Sequence, residues 1–401
     1  MKVVIAAPSI AGQLDGVQRH AINLARCLLK RQEITRVHLI VAPWQHKQAT
    51  DILSGDTQDA RLQLHAAPVR NNSLSRNFWF YSQLPALAAQ LESDIVHLAY
   101  PMPVARRSFR CPVVVTLHDF YPYDIPENFG FPKVFFNRAV LRQCLNASDA
   151  IACVSRSTYE RLQDLEPRLA QKKAVVVYNS VQSQPRSSPL PNSLLKFNGS
   201  PFILCVAQHR RNKNILLALR VFRRLVEANK PMQQSFPLHM LIVGIPGPET
   251  PALERFIVRA GLTDRVTFLS GISDEQLQWC YRNCSVMLAP STIEGFGLPI
   301  AEARLAGCKV VCSDIPAFRE LGGDHCCFIP LDRHAEEAFA DTIETMLGSD
   351  RQMPLAMPQL SPSFIAESYL RLYRSLLPVV PAKEAAYSSR FITAEERRHL
   401  S

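Results

Sequence analysis

Two glutamates eight residues apart, Glu294 and Glu302, stand in the segment PSTIEGFGLPIAEARLAGCKVVCSD, residues 290–314. On one regular helix they would lie about 12 Å apart along the axis and off one another's face. They can cooperate only if Glu294 sits in a loop and Glu302 in the first turns of the helix that follows. Gly295 and Gly297 permit a sharp loop and a close approach of backbone N–H groups to a ligand. Pro299 suits a first helical turn. A helix N-terminus then offers unpaired donors and positive potential to a phosphate, while a nearby carboxylate can accept from sugar or ribose hydroxyls. The plainer reading is a capped helix with two exposed acids.

A second group of chemical side chains is Ala207–Asn214 (AQHRRNKN), between an apolar run and a helical pattern. Basic residues at a helix N-terminus make a diphosphate site through charge and dipole together. His209 in that loop reads as structural. In the first half, His118 and Asp119 end the run VVVTLHD; a lone histidine is more often a satisfied core or loop residue, but a strand tip is a functional place. Phe120–Phe136 then carries seven aromatics, either a packed loop or a platform for sugar rings or a lipid carrier. No Asp-x-Asp occurs in the chain. Such a pair can hold Mn²⁺ or Mg²⁺ at a diphosphate; its absence agrees with neutralisation by basic side chains and a helix N-terminus, with no metal expected.

The elements that must position these groups repeat a strand–helix alternation. Strands are expected at Val3–Ala7, Val37–Ala42, Ile95–Ala99, Val113–Leu117, Ala150–Val154 and Val175–Tyr178, with a helix over Gln18–Leu29. After the polar stretch Gln182–Ser200 the alternation restarts: Phe202–Ala207, Met240–Val243, Val266–Leu269, Val286–Ala289, Lys309–Cys312 and Cys326–Ile329, with a helix from about Asn214 to Ala228. Apolar β-branched strands separated by helices predict parallel sheets covered on both faces. Two such halves in series suggest two Rossmann-like domains facing a cleft, with ligands beyond the strand carboxyl ends. Phe364–Leu377 has one apolar stripe and reads as the last helix.

Composition sets the outer limits. The 401 residues, 47% hydrophobic and 20% charged, are globular in character, and no apolar run reaches membrane-spanning length. The opening MKVVIAAPSI reads as a first strand rather than a secretion signal, so a cytoplasmic protein is expected. Eleven cysteines without a C-x-x-C pair suggest reduced, buried thiols. Of the net charge of +10, the first 185 residues carry +7. That suits an anionic membrane face, with peripheral contact, or a phosphorylated substrate. No basic run is interleaved with stacking aromatics as nucleic-acid modules require.

The segment at 290–314 resembles the E-x7-E signature of the large retaining glycosyltransferase family 4, the glycosyl transferases group 1, which has the GT-B fold. Pro290–Ser291, Glu294–Pro299, Ala301–Glu302, Gly307 and Ser313-Asp-Ile-Pro fall where the family pattern places them. Arg265–Phe268, Gly271 and Ser273–Leu277, enclosing Ile272, look like its strand and turn beside the nucleotide base, and Met240–Val243 with Gly244 also fits. The resemblance implies that Glu302 holds the donor ribose, Glu294 the hydroxyls of the transferred sugar, and backbone N–H groups of Phe296, Gly297 and Leu298 the sugar or phosphate. Lys213 would neutralise the leaving diphosphate, with Arg210 or Arg211 in support, since Ala207-Gln208 stand in the usual Gly-Arg place. His118 would lie near the reacting carbon, donating to a sugar hydroxyl or orienting the acceptor. Asp119, Tyr121 and Tyr123 would face the acceptor. Asp15-Gly16 resembles the family's Gly-Gly loop with Asp in place of the first glycine. Ala152–Ser155 and Tyr178–Val181 are smaller matches.

The resemblance therefore implies a GT-B fold with an acceptor domain at 1–183, a linker at 184–200, a nucleotide-sugar domain at 201–360, a crossover helix at 361–378 and a tail at 379–401. The expected activity is metal-independent, retaining transfer of a hexose, mannose first, from a nucleoside-diphosphate sugar to a saccharide or lipid-linked acceptor. The nucleotide sugar is a co-substrate, and no cofactor is expected. A non-catalytic nucleotide-sugar-binding subunit, an epimerase or a phosphorylase on the same fold are the alternatives.

Overall fold

The computed structural model describes residues 1–12, 14–53, 59–181, 194, 197, 199–228 and 238–378. The expected linker falls largely, and the tail at 379–401 wholly, outside the described residues. The first half forms a seven-stranded sheet from β1 (Lys2–Ala6), β2 (Arg36–Val41), β3 (Leu62–Ala66), β4 (Ile95–Leu98), β5 (Val113–Leu117), β6 (Ala150–Cys153) and β7 (Ala174–Val176), in the order β3-β2-β1-β4-β5-β6-β7. The second half forms a six-stranded sheet from β8 (Phe202–Val206), β9 (His239–Val243), β10 (Val266–Leu269), β11 (Val286–Ala289), β12 (Val310–Ser313) and β13 (Cys326–Ile329), in the order β10-β9-β8-β11-β12-β13. Every pairing is parallel. Runs such as VVVTL and FILCV bury both faces, which is why they read as unbroken apolar segments.

Strand β3 was not among the expected elements. It is a half-buried edge strand whose LQLHA alternation is short and follows a polar stretch, so its apolar signal is weak. The other strands lie within a few residues of expectation.

The strand order reverses between β1 and β4 and again between β8 and β11, the switch points at which such sheets leave a crevice. His118 directly follows β5; the Lys213 loop follows β8, Gly244 follows β9, Ile272 follows β10 and Glu294 follows β11. The whole set thus gathers at strand carboxyl ends. Helix Pro362–Leu376 returns to the first half: Ile365, Ala366, Tyr369, Leu370, Leu372 and Tyr373 join the core that contains β1 and β2. Tyr373 Oη and His97 Nδ1 are 2.7 Å apart there, and Arg374 pairs with Glu33.

All eleven cysteines are free, and ten of them are buried. Among the described residues no helix is long and apolar enough to cross a membrane. Phe131, Phe135 and Phe136 stand 86%, 58% and 54% exposed, so this part of the aromatic stretch is not a packed loop.

Candidate active site

The loop after β11 turns sharply at Gly297, whose φ of +96° opens helix Leu298–Leu305. A side chain there would meet Phe318, so both conformation and space call for glycine. Pro299 occupies the first turn and Glu302 the second, the loop-and-helix arrangement the eight-residue spacing requires. Glu302 is half-buried at the cavity wall, and burial pushes its carboxyl up to about 7, with Asp274 adding to the rise and Tyr281 and Arg19 opposing it. The hydroxyl of Tyr281 donates to Glu302 Oε2 at 2.8 Å. A cavity of about 560 Å³ between the halves is lined by Glu302, Leu298, Gln278 and Asp274 on one side and by Arg19 and Asn23 on the other. Arg19 reaches across to Asp274 at 2.6 Å.

Lys213 and Glu294 meet. The Lys213 ammonium donates to both carboxylate oxygens, at 2.6 and 2.7 Å, and the two side chains are only 19% and 8% exposed. Their loops are tied by Asn212, buried between them in the RRNKN run. Its backbone oxygen accepts from Thr292 N at 2.8 Å, while its amide donates to Tyr121 Oη at 3.3 Å and to the Ile293 carbonyl at 3.4 Å. Asn214 adopts a left-handed conformation at φ 50°, ending the short turn before helix Ile215–Ala228. Arg210 and Arg211 are exposed at this helix start. The charge of Arg210 reaches Tyr121.

The first half closes onto this loop through Gly295. A Cβ at Gly295 would lie 1.8 Å from the His118 carbonyl oxygen, so only glycine permits the contact. The Gly295 carbonyl accepts from Ser155 Oγ and, at 2.9 Å, from Thr158 Oγ1. Nearby, Glu320 of the second half caps helix Arg156–Leu165, accepting from Arg156 N at 2.7 Å and Ser157 N at 3.1 Å.

His118 Nε2 is 2.8 Å from the Ala99 carbonyl, which can only accept, so that nitrogen carries the proton. Burial holds the ring below the usual histidine range and hence neutral. Nδ1 is therefore an acceptor, which reverses the expectation that His118 donates to a hydroxyl. His20 packs edge-on against it at 4.9 Å. Asp119 Oδ1 accepts from Tyr121 N at 3.0 Å, and burial pushes its carboxyl up to about 6. Asp119, Tyr121, Thr158 and Glu294 share a second cavity of about 310 Å³.

The other expected contacts divide. Tyr123 does not line either of these two cavities: its ring packs on Phe120 and lies under the Arg138 guanidinium at 5.0 Å. Gly244 is glycine because a Cβ would lie 1.8 Å from the Ala207 carbonyl oxygen. Ile272 packs against the second core, as Phe296 does with its ring 6.1 Å from Tyr178. Asp15, the departure from a glycine pair, is the N-cap of helix Gly16–Leu29 and forms a reciprocal capping box with Gln18; Gly16 is the first helical residue. His209, expected to be structural, has Nδ1 2.8 Å from Thr250 Oγ1. Asn212, Tyr281, Arg19 and Asp274 were not singled out. Each acts through a partner far along the chain, where local spacing carries no signal.

Comparison with known proteins fits this geometry. The model for glycosyl transferases group 1 matches residues 188–357, and that for glycosyltransferase family 4 matches residues 14–184. O-antigen chain mannosyltransferase B of Escherichia coli is 24% identical over 335 residues, covering 81% of this chain and 85% of that protein. O-antigen chain mannosyltransferase RfbU of Salmonella typhimurium is 26% identical over 233 residues, 58% of this chain and 61% of that one. Among solved structures, WaaG, a glycosyltransferase involved in lipopolysaccharide biosynthesis, matches with a TM-score of 0.64 at 17% identity over 94% of this chain and 97% of its own. Anabaena HepE, solved with UDP and glucose, gives 0.60 at 18% identity over 94% and 95%. With both halves matched by family models, the chain belongs to the family 4 glycosyltransferases, the glycosyl transferases group 1, and is a glycosyltransferase of GT-B fold.

Proposed function

We propose that the protein moves a hexose, with mannose the leading candidate, from a nucleoside-diphosphate sugar to a saccharide or lipid-linked acceptor during polysaccharide or glycolipid assembly. Transfer retains the anomeric configuration and needs no metal. The observation that carries this reading is the sheltered Lys213–Glu294 pair, set against the His118 loop and eight residues along the chain from Glu302. The names of the two mannosyltransferase relatives support the sugar and the setting.

In this reading the second half holds the donor. Glu302 takes the ribose hydroxyls, and the diphosphate takes Lys213 from Glu294. That exchange frees the Glu294 carboxylate for the sugar's hydroxyls. As the anomeric carbon–oxygen bond breaks, its electron pair passes to the diphosphate, while the acceptor hydroxyl oxygen bonds that carbon on the same face and its proton passes to the departing phosphate oxygen. Lys213, Arg210 or Arg211, and the backbone N–H groups of Phe296, Gly297 and Leu298 stabilise that charge. The neutral His118 accepts from a sugar hydroxyl through Nδ1, and Asp119 and Tyr121 line the acceptor side.

Incubation with GDP-, UDP- and ADP-sugars and a saccharide primer, followed by NMR of the product, tests the reading. The expected product keeps the donor's anomeric configuration; an inverted linkage contradicts the retaining assignment. Phe131, Phe135 and Phe136 beside Lys133 support contact with an anionic membrane, where lipid-linked acceptors reside. Co-sedimentation with anionic vesicles should fall several-fold in Phe131→Ser/Phe135→Ser. Equal sedimentation of wild type and variant would remove the membrane contact.

A further inference from the structure

We infer that Tyr281 is a positioning residue for the donor nucleotide: its hydroxyl fixes Glu302 Oε2, leaving the other carboxylate oxygen directed by elimination to the ribose. The inference rests on the reading of Glu302 as the ribose acceptor. Three observations carry it. The Tyr281 ring is fully buried in the second core, so the hydroxyl cannot swing away. It donates to Glu302 Oε2 at 2.8 Å from helix Asp274–Asn283, a different element from the Leu298–Leu305 helix that bears Glu302. Glu302 also lines the 560 Å³ cavity at the junction of the halves, large enough for a nucleotide.

A carboxylate that must accept from a ribose needs its charge, and burial works against that charge. The groups facing Glu302 are Arg19 across the cleft and Asp274 and Tyr281 from the adjoining helix; Arg26, Lys30 and Asp59 line the same cavity. Asp274 opposes ionisation, while Arg19 and the Tyr281 hydroxyl favour it. Without the hydroxyl, Glu302 is protonated at a higher pH and is free to rotate. Tyr281 thus acts through Glu302 and touches no substrate.

The experiment is calorimetric titration of GDP and of UDP into wild type, Tyr281→Phe, Glu302→Gln and the double variant, from pH 6 to 9. Tyr281→Phe is expected to bind the preferred nucleotide about tenfold more weakly at pH 7, as loss of a hydrogen bond to a charged group implies. The deficit should shrink as pH rises and the carboxylate recovers its charge. In the Glu302→Gln background, Tyr281→Phe should cost nothing further. With donor sugar, Tyr281→Phe should raise KM and leave kcat nearly unchanged. A loss that is independent of pH and persists in the Glu302→Gln background would reduce Tyr281 to core packing and overturn the inference. Wild-type binding by Tyr281→Phe, with Glu302→Gln weakened, would overturn it while leaving the ribose reading intact. Wild-type binding by Glu302→Gln, or no binding of either nucleotide to the wild type, would overturn the ribose reading itself.

Discussion

Lys213 and Glu294 neutralise one another in a sheltered cleft, and that pairing sets what each substitution does. Lys213→Ala removes the charge that meets the leaving diphosphate and leaves a carboxylate without its cation. Turnover should fall at least about tenfold, because the charge matters most as the bond breaks. Lys213→Arg should rescue only in part, since a guanidinium fork does not reproduce a point ammonium. Steady-state kinetics on the two variants checks this, and near-wild-type turnover by Lys213→Ala would move the phosphate role to Arg210 or Arg211. Glu294→Gln acts in the opposite sense on binding: it releases Lys213, so free nucleoside diphosphate should bind at least as tightly as in wild type while kcat drops. Calorimetry beside kcat decides; weaker nucleotide binding by Glu294→Gln would mean that no exchange of Lys213 occurs. At this scale the candidate residues Glu294, Glu302, Lys213 and His118 are legible because each stands in a short contiguous motif. The pairing itself joins residues 81 apart, and Tyr281 to Glu302 spans 21, separations at which only the fold brings side chains together.

Among the elements, the decisive contact is the loop after β11 against the end of β5. Gly295 has no room for a methyl group beside the His118 carbonyl, while its own carbonyl takes both Ser155 and Thr158. Gly295→Ala must therefore push the halves apart at the cleft. Transfer should fall at least about a hundredfold, since a misplacement of roughly 1 Å at reacting groups can cost that much. The core of each half should stay intact. Activity together with small-angle scattering tests this, and unchanged activity would show that the closed contact is not the working arrangement. The caps illustrate what sequence could and could not tell. Asp15 looked like a lapse from a glycine loop, yet it starts helix Gly16–Leu29 by capping it. Strand β3 escaped because an edge strand needs only half-burial and leaves little apolar pattern. Tyr121 and Tyr123 share one tight turn yet point to different surroundings.

For the molecule as a whole, alternating strands and helices were enough to give two parallel sheets and their cleft. How the halves are fastened came from the resemblance, which implies the crossover helix: Pro362–Leu376 inserts into a core begun more than 300 residues earlier. That core also encloses titratable groups. His20, His97 and His118 are held neutral by burial, His97 down at about 3. Each binds a proton in the unfolded chain below about 6.5 but not in the folded one, so its contribution is present above 6.5 and is lost as pH falls. Asp119 and Glu302, raised to about 6 and about 7, act oppositely and lose stability as pH rises from about 4. His38, His65 and His209 are held down by burial as well, so six histidines outweigh the two carboxyls and stability should fall as pH drops from 6 to 5. Denaturant melts at those pH values measure it, and equal stability at both would show that the buried histidines are solvated. The most direct test of the function is transfer of radiolabelled sugar from GDP-mannose and a panel of UDP-, GDP- and ADP-sugars to a saccharide primer in excess EDTA, by wild type, Lys213→Ala and Glu294→Ala. The wild type should label the primer from at least one donor in EDTA, and both variants should fall at least about tenfold below it. Labelling that needs added Mn²⁺ or Mg²⁺, or that proceeds equally in all three proteins, would contradict a metal-free site built on Lys213 and Glu294.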